Sequence, residues 1–224
     1  MSDFLEVLSN YDIAGAFWVN IKLAFFAGIF GLILGSILAL MRVSPVPSMQ
    51  WIGSGYVTLF RNTPLTIIMV FCISVLWSVM GIRLSPDFQA NFFWLAVLAL
   101  TVYHASFFCE AIRSGVNTVP VGQAEAARSI GLPFLSAARL VIFPQAFRGA
   151  IAPLGNTLIA LIKNTTVAAA VSVPEVAILM KEMQENESNY VIPIFMTIAV
   201  GFVIIVIPVG LLTTFLSRKL AVSR

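Results

Sequence analysis

The chain has 224 residues, of which 59% are hydrophobic and only 10% charged, and its mean hydropathy is +0.97. Soluble domains carry roughly 25% charged residues, so a water-soluble fold is excluded and a single bundle of helices solvated by lipid is implied. The net charge of +3 comes from basic residues scattered singly, with no basic stretch interleaved with aromatics, which argues against a nucleic-acid partner.

Crossing the hydrocarbon as a helix takes about 20 apolar residues. Residues 17–41 form the first such stretch. The acidic segment before it (Asp3, Glu6, Asp12) and its length argue against a cleavable signal peptide, so it is expected to remain as an uncleaved anchor. Gly28, Gly31 and Gly35 within it favour close helix packing, and Lys22, near one end, is expected to snorkel to the interface. The second span is placed at residues 64–82, with Arg61, Asn62 and Thr63 as a turn before Pro64 in which Asn62 or Thr63 caps the span. Lining a gate is the second reading of Arg61 and Asn62. A third span follows at residues 88–109 after the tight RLSPD connection. His104 in it reads as a helix-packing hydrogen bond, and Glu110 with Arg113 as a local ion pair. Cys72 and Cys109 lie in apolar segments without metal or disulfide spacing, and read as small hydrophobes.

Residues 114–147 are too polar to span and too patterned to be disordered. A first short helix is predicted over 123–130, where Ala124, Ala126 and Ala127 are strong helix formers and Glu125 and Arg128 lie three apart. Gly131 stops it, Pro133 opens a second short helix to about 142, and the pair forms a protruding knob. Spans four and five are placed at residues 148–173 and 191–217. Lys163 then lies about 22 Å along span four, at 1.5 Å per residue from Arg148. Two readings stand for it. With Asn164, Thr165 and Thr166 it lines a polar path and meets a substrate carboxylate, or it snorkels or pairs with a carboxylate of a partner subunit.

Five spans put the termini on opposite sides. With the N-terminus outside, nine basic residues (Arg42, Arg61, Arg113, Arg128, Arg139, Arg148, Arg218, Lys219, Arg224) fall on the cytoplasmic side, against two outside (Arg83, Lys181). That asymmetry predicts an N-out, C-in topology and a cytoplasmic knob.

The knob reads GQAEAARSIGLPFLSAARLVIFPQA over residues 122–146. It resembles the cytoplasmic signature loop of type I ATP-binding-cassette importer permeases: Glu125-Ala126-Ala127, a glycine at Gly131, then an apolar run closed by Pro144, with Phe143 where many members carry leucine. YVTLFRNTPL (residues 56–65), EAIRSGVNTVP (110–120) and PLGNTLIALIKNTTVA (153–168) are similar to the polar amino-acid branch, most like the glutamate-uptake type. The likeness runs over nearly the whole chain.

The resemblance implies an all-α permease, one domain over residues 1–224 with a coupling loop at about 120–146, in the bacterial inner membrane. Glu125, Ala126, Ala127, Arg128, Gly131 and Pro144 would engage one of two cytoplasmic ATPases, and an extracytoplasmic binding protein would deliver the amino acid. A second permease subunit completes the path, as an unlike chain or a second copy. ATP and Mg would be used by the ATPases alone: the chain has no GxxxxGK[ST] phosphate loop and is expected to hold no cofactor or metal and to be no enzyme. Glutamate or aspartate is the expected cargo, with glutamine or a basic amino acid as alternatives. An intramembrane hydrolase is disfavoured because Ser106 and His104, two apart on a helix, face different ways. A self-contained channel or ion-coupled carrier is disfavoured by five spans without an internal repeat, together with the partner-docking knob.

Overall fold

The computed structural model describes residues 2–220, with side chains from Phe4 onward; Arg224 and the side chain of Asp3, used in the topology reading, lie outside the described residues. All regular structure among these residues is helical. Helix α1 (Ser2–Ser9) leads into α2 (Ile13–Val43), whose first turn is capped by Asp12, accepting from the Gly15 amide at 2.8 Å. Helix α3 (Pro47–Asn62) is followed after a 101° bend by α4 (Leu65–Phe71), which widens into a π-helix over Cys72–Val79. Helix α5 (Phe88–Val116) begins at a second aspartate cap, Asp87, which accepts from Ala90 at 2.7 Å. Four helices are long and apolar enough to cross a membrane, or five if the bent α3–α4 pair counts as one span.

Helix α3 corrects the second span. Its mixture of Ser, Gln, Gly and Asn with apolar residues hides a helix from a hydropathy reading, and Pro64 ends it by withholding an amide hydrogen. Asn62 and Thr63 cap nothing in α4. Their side chains donate back to the Thr58 and Leu59 carbonyls, at 2.8 Å each, and close the end of α3.

The knob corrects the fourth span. Helix α6 (Val121–Ser129) is followed by the Gly131 corner and a short α7 (Phe134–Ala137). From α7 the backbone passes through a π turn at Ala138–Ile142 into α8 (Phe143–Asn164) without a break, and ends in a 3-10 segment at Thr165–Val171. The second knob helix is therefore the start of span four. Pro144 does not end it, because the missing proline hydrogen bond falls where the chain has already widened to π geometry. Helix α9 (Val176–Asn186) and α10 (Val191–Leu220) complete the fold.

The bundle is built around α5. In its most apolar stretch 67% of residues are buried, against 11% for α10. Helix α2 packs on α5 where Gly31 and Gly35 face Phe108 and Ala105: a Cβ on Gly35 would stand 2.7 Å from the Phe108 Cβ and 2.8 Å from the Ala105 carbonyl oxygen. The glycines do what the spacing predicts, letting two backbones approach. A Gly35→Ala variant should unfold at lower temperature by the equivalent of about 1–3 kcal/mol of overpacking, whereas Gly55→Ala, with open space around its Cβ, should not. Cys72 and Cys109 are both free and buried, so a thiol-reactive dye reports the two melting curves directly.

Candidate functional site

At the knob, α6 closes in a full Schellman arrangement: the Leu132 amide donates to the Ala127 carbonyl at 3.1 Å and Gly131 to Arg128 at 2.9 Å, with Gly131 at φ +80°. That φ is the physical reason for glycine here. Glu125, Ala126 and Arg128 are exposed, whereas Ala127 is buried at 3% against the chain itself. Glu125 and Arg128 form no ion pair among the described residues. Arg128 turns to a cavity of about 720 Å³ beneath the knob, shared with Ala124, Leu132 and Phe134. Along this helix Val121, Gly122, Gln123, Glu125, Ala126, Arg128 and Ser129 are exposed, and of the Glu-Ala-Ala run Ala127 alone is turned inward.

The second constellation gathers on Glu110. Arg42 of α2 bonds its Oε1, and Arg113 bonds its Oε2 through Nη2 at 3.0 Å and Nε at 3.3 Å. Arg61 of α3 approaches to 3.9 Å and stacks over the Phe107 ring at 5.4 Å. The expected local pair of Glu110 and Arg113 is therefore part of a larger cluster that ties three helices. Arg61 and Asn62 border a cavity of about 410 Å³ at this point.

The four polar residues at the end of α8 separate. Lys163 is exposed and, with Thr166, borders a largely apolar cavity of about 450 Å³ walled by Phe195 and Phe202 of α10. Asn164 turns the other way, its amide donating to His104 Nε2 at 3.2 Å. His104 Nδ1 lies 3.0 Å from the Leu100 carbonyl, which can only accept. The ring is therefore a neutral tautomer with its proton on Nδ1, and the packing role expected of His104 holds. Thr165 is fully buried, donating to the Ile162 carbonyl and accepting from Asn20 at 2.9 Å. Lys22 lies with its ammonium 5.8 Å from the centre of the Phe93 ring, a half-buried position against α5.

Asn20 and Glu175 form a pair that sequence reasoning misses. Lying between two spans, Glu175 reads as a loop acid, yet it is 0% exposed. Its Oε1 caps α9 by accepting from Ala177 and Ile178 at 2.9 and 3.2 Å, and its Oε2 accepts from Asn20 at 2.8 Å. Asn20 in turn accepts from the Val176 amide at 3.0 Å. Burial pushes the Glu175 carboxyl above the usual range, against the opposing pull of Asn20 and the two amides. A lone asparagine inside an apolar span is the available signal, because in lipid such a group needs a partner.

The chain is thus a bundle of long apolar helices with a separate polar knob. The chain belongs to the family of binding-protein-dependent transport system inner membrane components, whose model matches residues 31–222. It is 47% identical over 214 residues to the glutamate transport system permease protein GluC of Corynebacterium glutamicum, covering 93% of this chain and 94% of that one. The protein of the same description from Corynebacterium efficiens is 49% identical, with the same coverage. The probable glutamine ABC transporter permease protein GlnM of Bacillus subtilis is 33% identical over 85% of each chain. Two solved structures share the fold. An amino acid ABC transporter with histidines has a TM-score of 0.80 at 24% identity, over 98% of this chain and 96% of that one. An inward-facing MetNI methionine ABC transporter has a TM-score of 0.73 at 22% identity, over 94% and 96%.

The buried network generates a prediction. Asn20→Leu strands the Val176 amide and one oxygen of Glu175 and removes the bond that Thr165 accepts, and each unmet buried group costs about 1–3 kcal/mol. The variant should melt well below the parent in the same thiol-reactive assay, and an unchanged melting temperature would show that the three groups find other partners.

Proposed function

We propose that this chain is the permease subunit of an ATP-driven importer for an acidic amino acid, glutamate or aspartate, in the bacterial cytoplasmic membrane. Membership of the transport family makes it a membrane transport subunit rather than an enzyme. The observation that carries the cargo is the identity of 47% and 49% to two permeases named for glutamate; among the more distant relatives identity does not follow substrate, with 37% to one named for arginine, 33% to one named for glutamine and 27% to one named for glutamate and aspartate. The working assembly on this reading has a second permease subunit, two cytoplasmic ATPases that use ATP and Mg, and an extracytoplasmic binding protein, all within lipid.

The knob is the coupling element. Glu125 and Ala126 offer an exposed carboxylate and a small side chain to a groove on the ATPase, and Gly131 sets the angle of α6. Because α7, the π turn and α8 form one unbroken helical rod, a push on α6 is carried through the Gly131 corner along Phe134–Val171. From Phe134 to Lys163 that rod spans about 44 Å at 1.5 Å per residue. Rocking of this rod exchanges inward-facing and outward-facing states. Lys163 and Thr166 line the path at one end, Arg61 and Asn62 at the other, while Asn164 and Thr165 act from behind by fixing the end of α8.

In the reconstituted complex, ATP-dependent uptake of labelled glutamate or aspartate should exceed uptake of arginine and histidine, and uptake confined to the basic amino acids overturns the cargo. Gly131→Val must place a branched residue at positive φ, a cost of about 1 kcal/mol or more, and should lower both uptake and co-purification of the ATPase. Lys163→Ala should lower uptake while the ATPase stays bound. If the Gly131 variant keeps its ATPase and full uptake, the knob is not the coupling element.

The N-out, C-in orientation rests on the nine-to-two distribution of basic residues. Cysteine placed at Ser188 should react with an impermeant thiol reagent added from outside, and cysteine at Ser129 should not. The reverse pattern inverts the topology.

A further inference from the structure

We propose that the cavity between α2, α3 and α5 is a binding site for an anionic oxygen group, a carboxylate or a phosphate, gripped by the guanidinium of Arg61. The cavity, about 410 Å³, is bordered by Arg42, Thr58, Arg61, Asn62, Phe107 and Glu110. Three guanidiniums, those of Arg42, Arg61 and Arg113, surround the single carboxylate of Glu110. Three positive charges against one negative leave the cluster at +2, a surplus that favours an anion in a confined space.

The three arginines are not equivalent. Arg42 and Arg113 each donate to an oxygen of Glu110, so the carboxylate is already engaged at both ends. Arg61 stands 3.9 Å away, inside ion-pair range but outside hydrogen-bond range, and makes no hydrogen bond among the described residues. Its side chain is 45% exposed, and its Cζ lies over the Phe107 ring, 5.4 Å from the centroid. A planar fork of unspent N–H donors, beside an aromatic ring and bordering a polar cavity, matches the two-oxygen edge of a carboxylate or phosphate. The hydroxyl of Thr58, exposed on the same helix, supplies a further donor. Glu110 acts as a positioning residue: it holds Arg42 and Arg113 in place and keeps the surplus at two charges rather than three.

Two sources supply such a group at the end of a membrane bundle. One is a soluble carboxylate or phosphate, including the carboxylates of an acidic amino-acid cargo; the other is the phosphate of an anionic phospholipid in the adjoining leaflet. The site itself stands on the cluster, and rests on the transport reading only for a cargo that fills it.

The test uses the purified complex with its ATPase in phosphatidylcholine nanodiscs, with arginine modification by phenylglyoxal read residue by residue by mass spectrometry. The rate at Arg61 is compared in sodium chloride, sodium glutamate and sodium phosphate at equal ionic strength, and in nanodiscs containing phosphatidylglycerol. Modification of Arg61 should slow by roughly fivefold or more in at least one arm, with Arg218 unaffected by the soluble anions. Protection by glutamate or phosphate identifies a soluble ligand, and protection by phosphatidylglycerol alone identifies a lipid headgroup. No protection in any arm overturns the site. An Arg61 that resists the reagent in chloride alone also overturns it, because its cavity is then closed to solutes. Uptake of labelled glutamate by the same complex, reconstituted with its binding protein into sealed proteoliposomes, separates the two readings. Uptake without protection removes the anion site and leaves the transport function, and lipid protection without glutamate uptake removes the acidic cargo and leaves the site.

Discussion

In hydrocarbon, no water stands ready to satisfy a backbone or a charge, so a polar group inside this chain is costly unless it finds a partner within the protein, on its own helix or on another. The close approach of α2 to α5 makes the rest possible. Glycine at Gly35 lets the two backbones come within reach of each other, with the Ala105 carbonyl and Phe108 filling the space a side chain would need. Farther along the same pair, this spacing delivers Arg42 to Glu110. At the opposite end of α2, Asn20 reaches Thr165 and Glu175. One helix is thus fastened at both ends by polar contacts that its apolar middle brings into register.

The two fastenings have different characters. The Asn20 network is closed: both amide hydrogens and the carbonyl of Asn20 are used, and both oxygens of Glu175 are bonded. Closed buried networks rigidify and specify a single arrangement. The Glu110 cluster is open, with surplus positive charge and one arginine standing outside hydrogen-bond range. An element meant to hold a shape and an element able to take up a ligand differ in this respect, and the chain carries one of each on the same helix.

The continuity of α7 with α8 changes how the knob relates to the membrane. A knob made of two independent short helices would absorb displacement in its own joints. Here the helix is interrupted only at the Gly131 corner, and beyond it one continuous helix runs from the knob to Lys163, with the π turn at Ala138–Ile142 as its departure from regular geometry. The two π segments, at Cys72–Val79 and Ala138–Ile142, are the places where these long helices depart from regular hydrogen bonding, and such segments are where helices bend most readily. In the chain they lie one on each side of α5.

Hydropathy alone determined that this is a multi-pass helical membrane chain, because a run of apolar residues long enough to span lipid has few other stable fates. The helix at Val121–Ser129 and its end at Gly131 were legible for a local reason: alanines favour a helix, and a residue at positive φ after its last turn favours glycine, neither of which requires knowing the neighbours. The packing role of His104 and of the glycines in α2 was legible too. The features hidden from sequence reading depend on partners distant in the chain or on local geometry that compensates a breaker. Helix α3 is hidden by its polar residues, and the joining of α7 to α8 by a proline whose penalty a π turn absorbs. Glu175 passes for a loop acid because its partner, Asn20, lies 155 residues away. Only the tertiary structure decided that Lys163 and Thr166 share a cavity while Asn164 and Thr165 turn inward, since consecutive residues on a helix point in different directions and the surrounding helices choose which direction is the cavity.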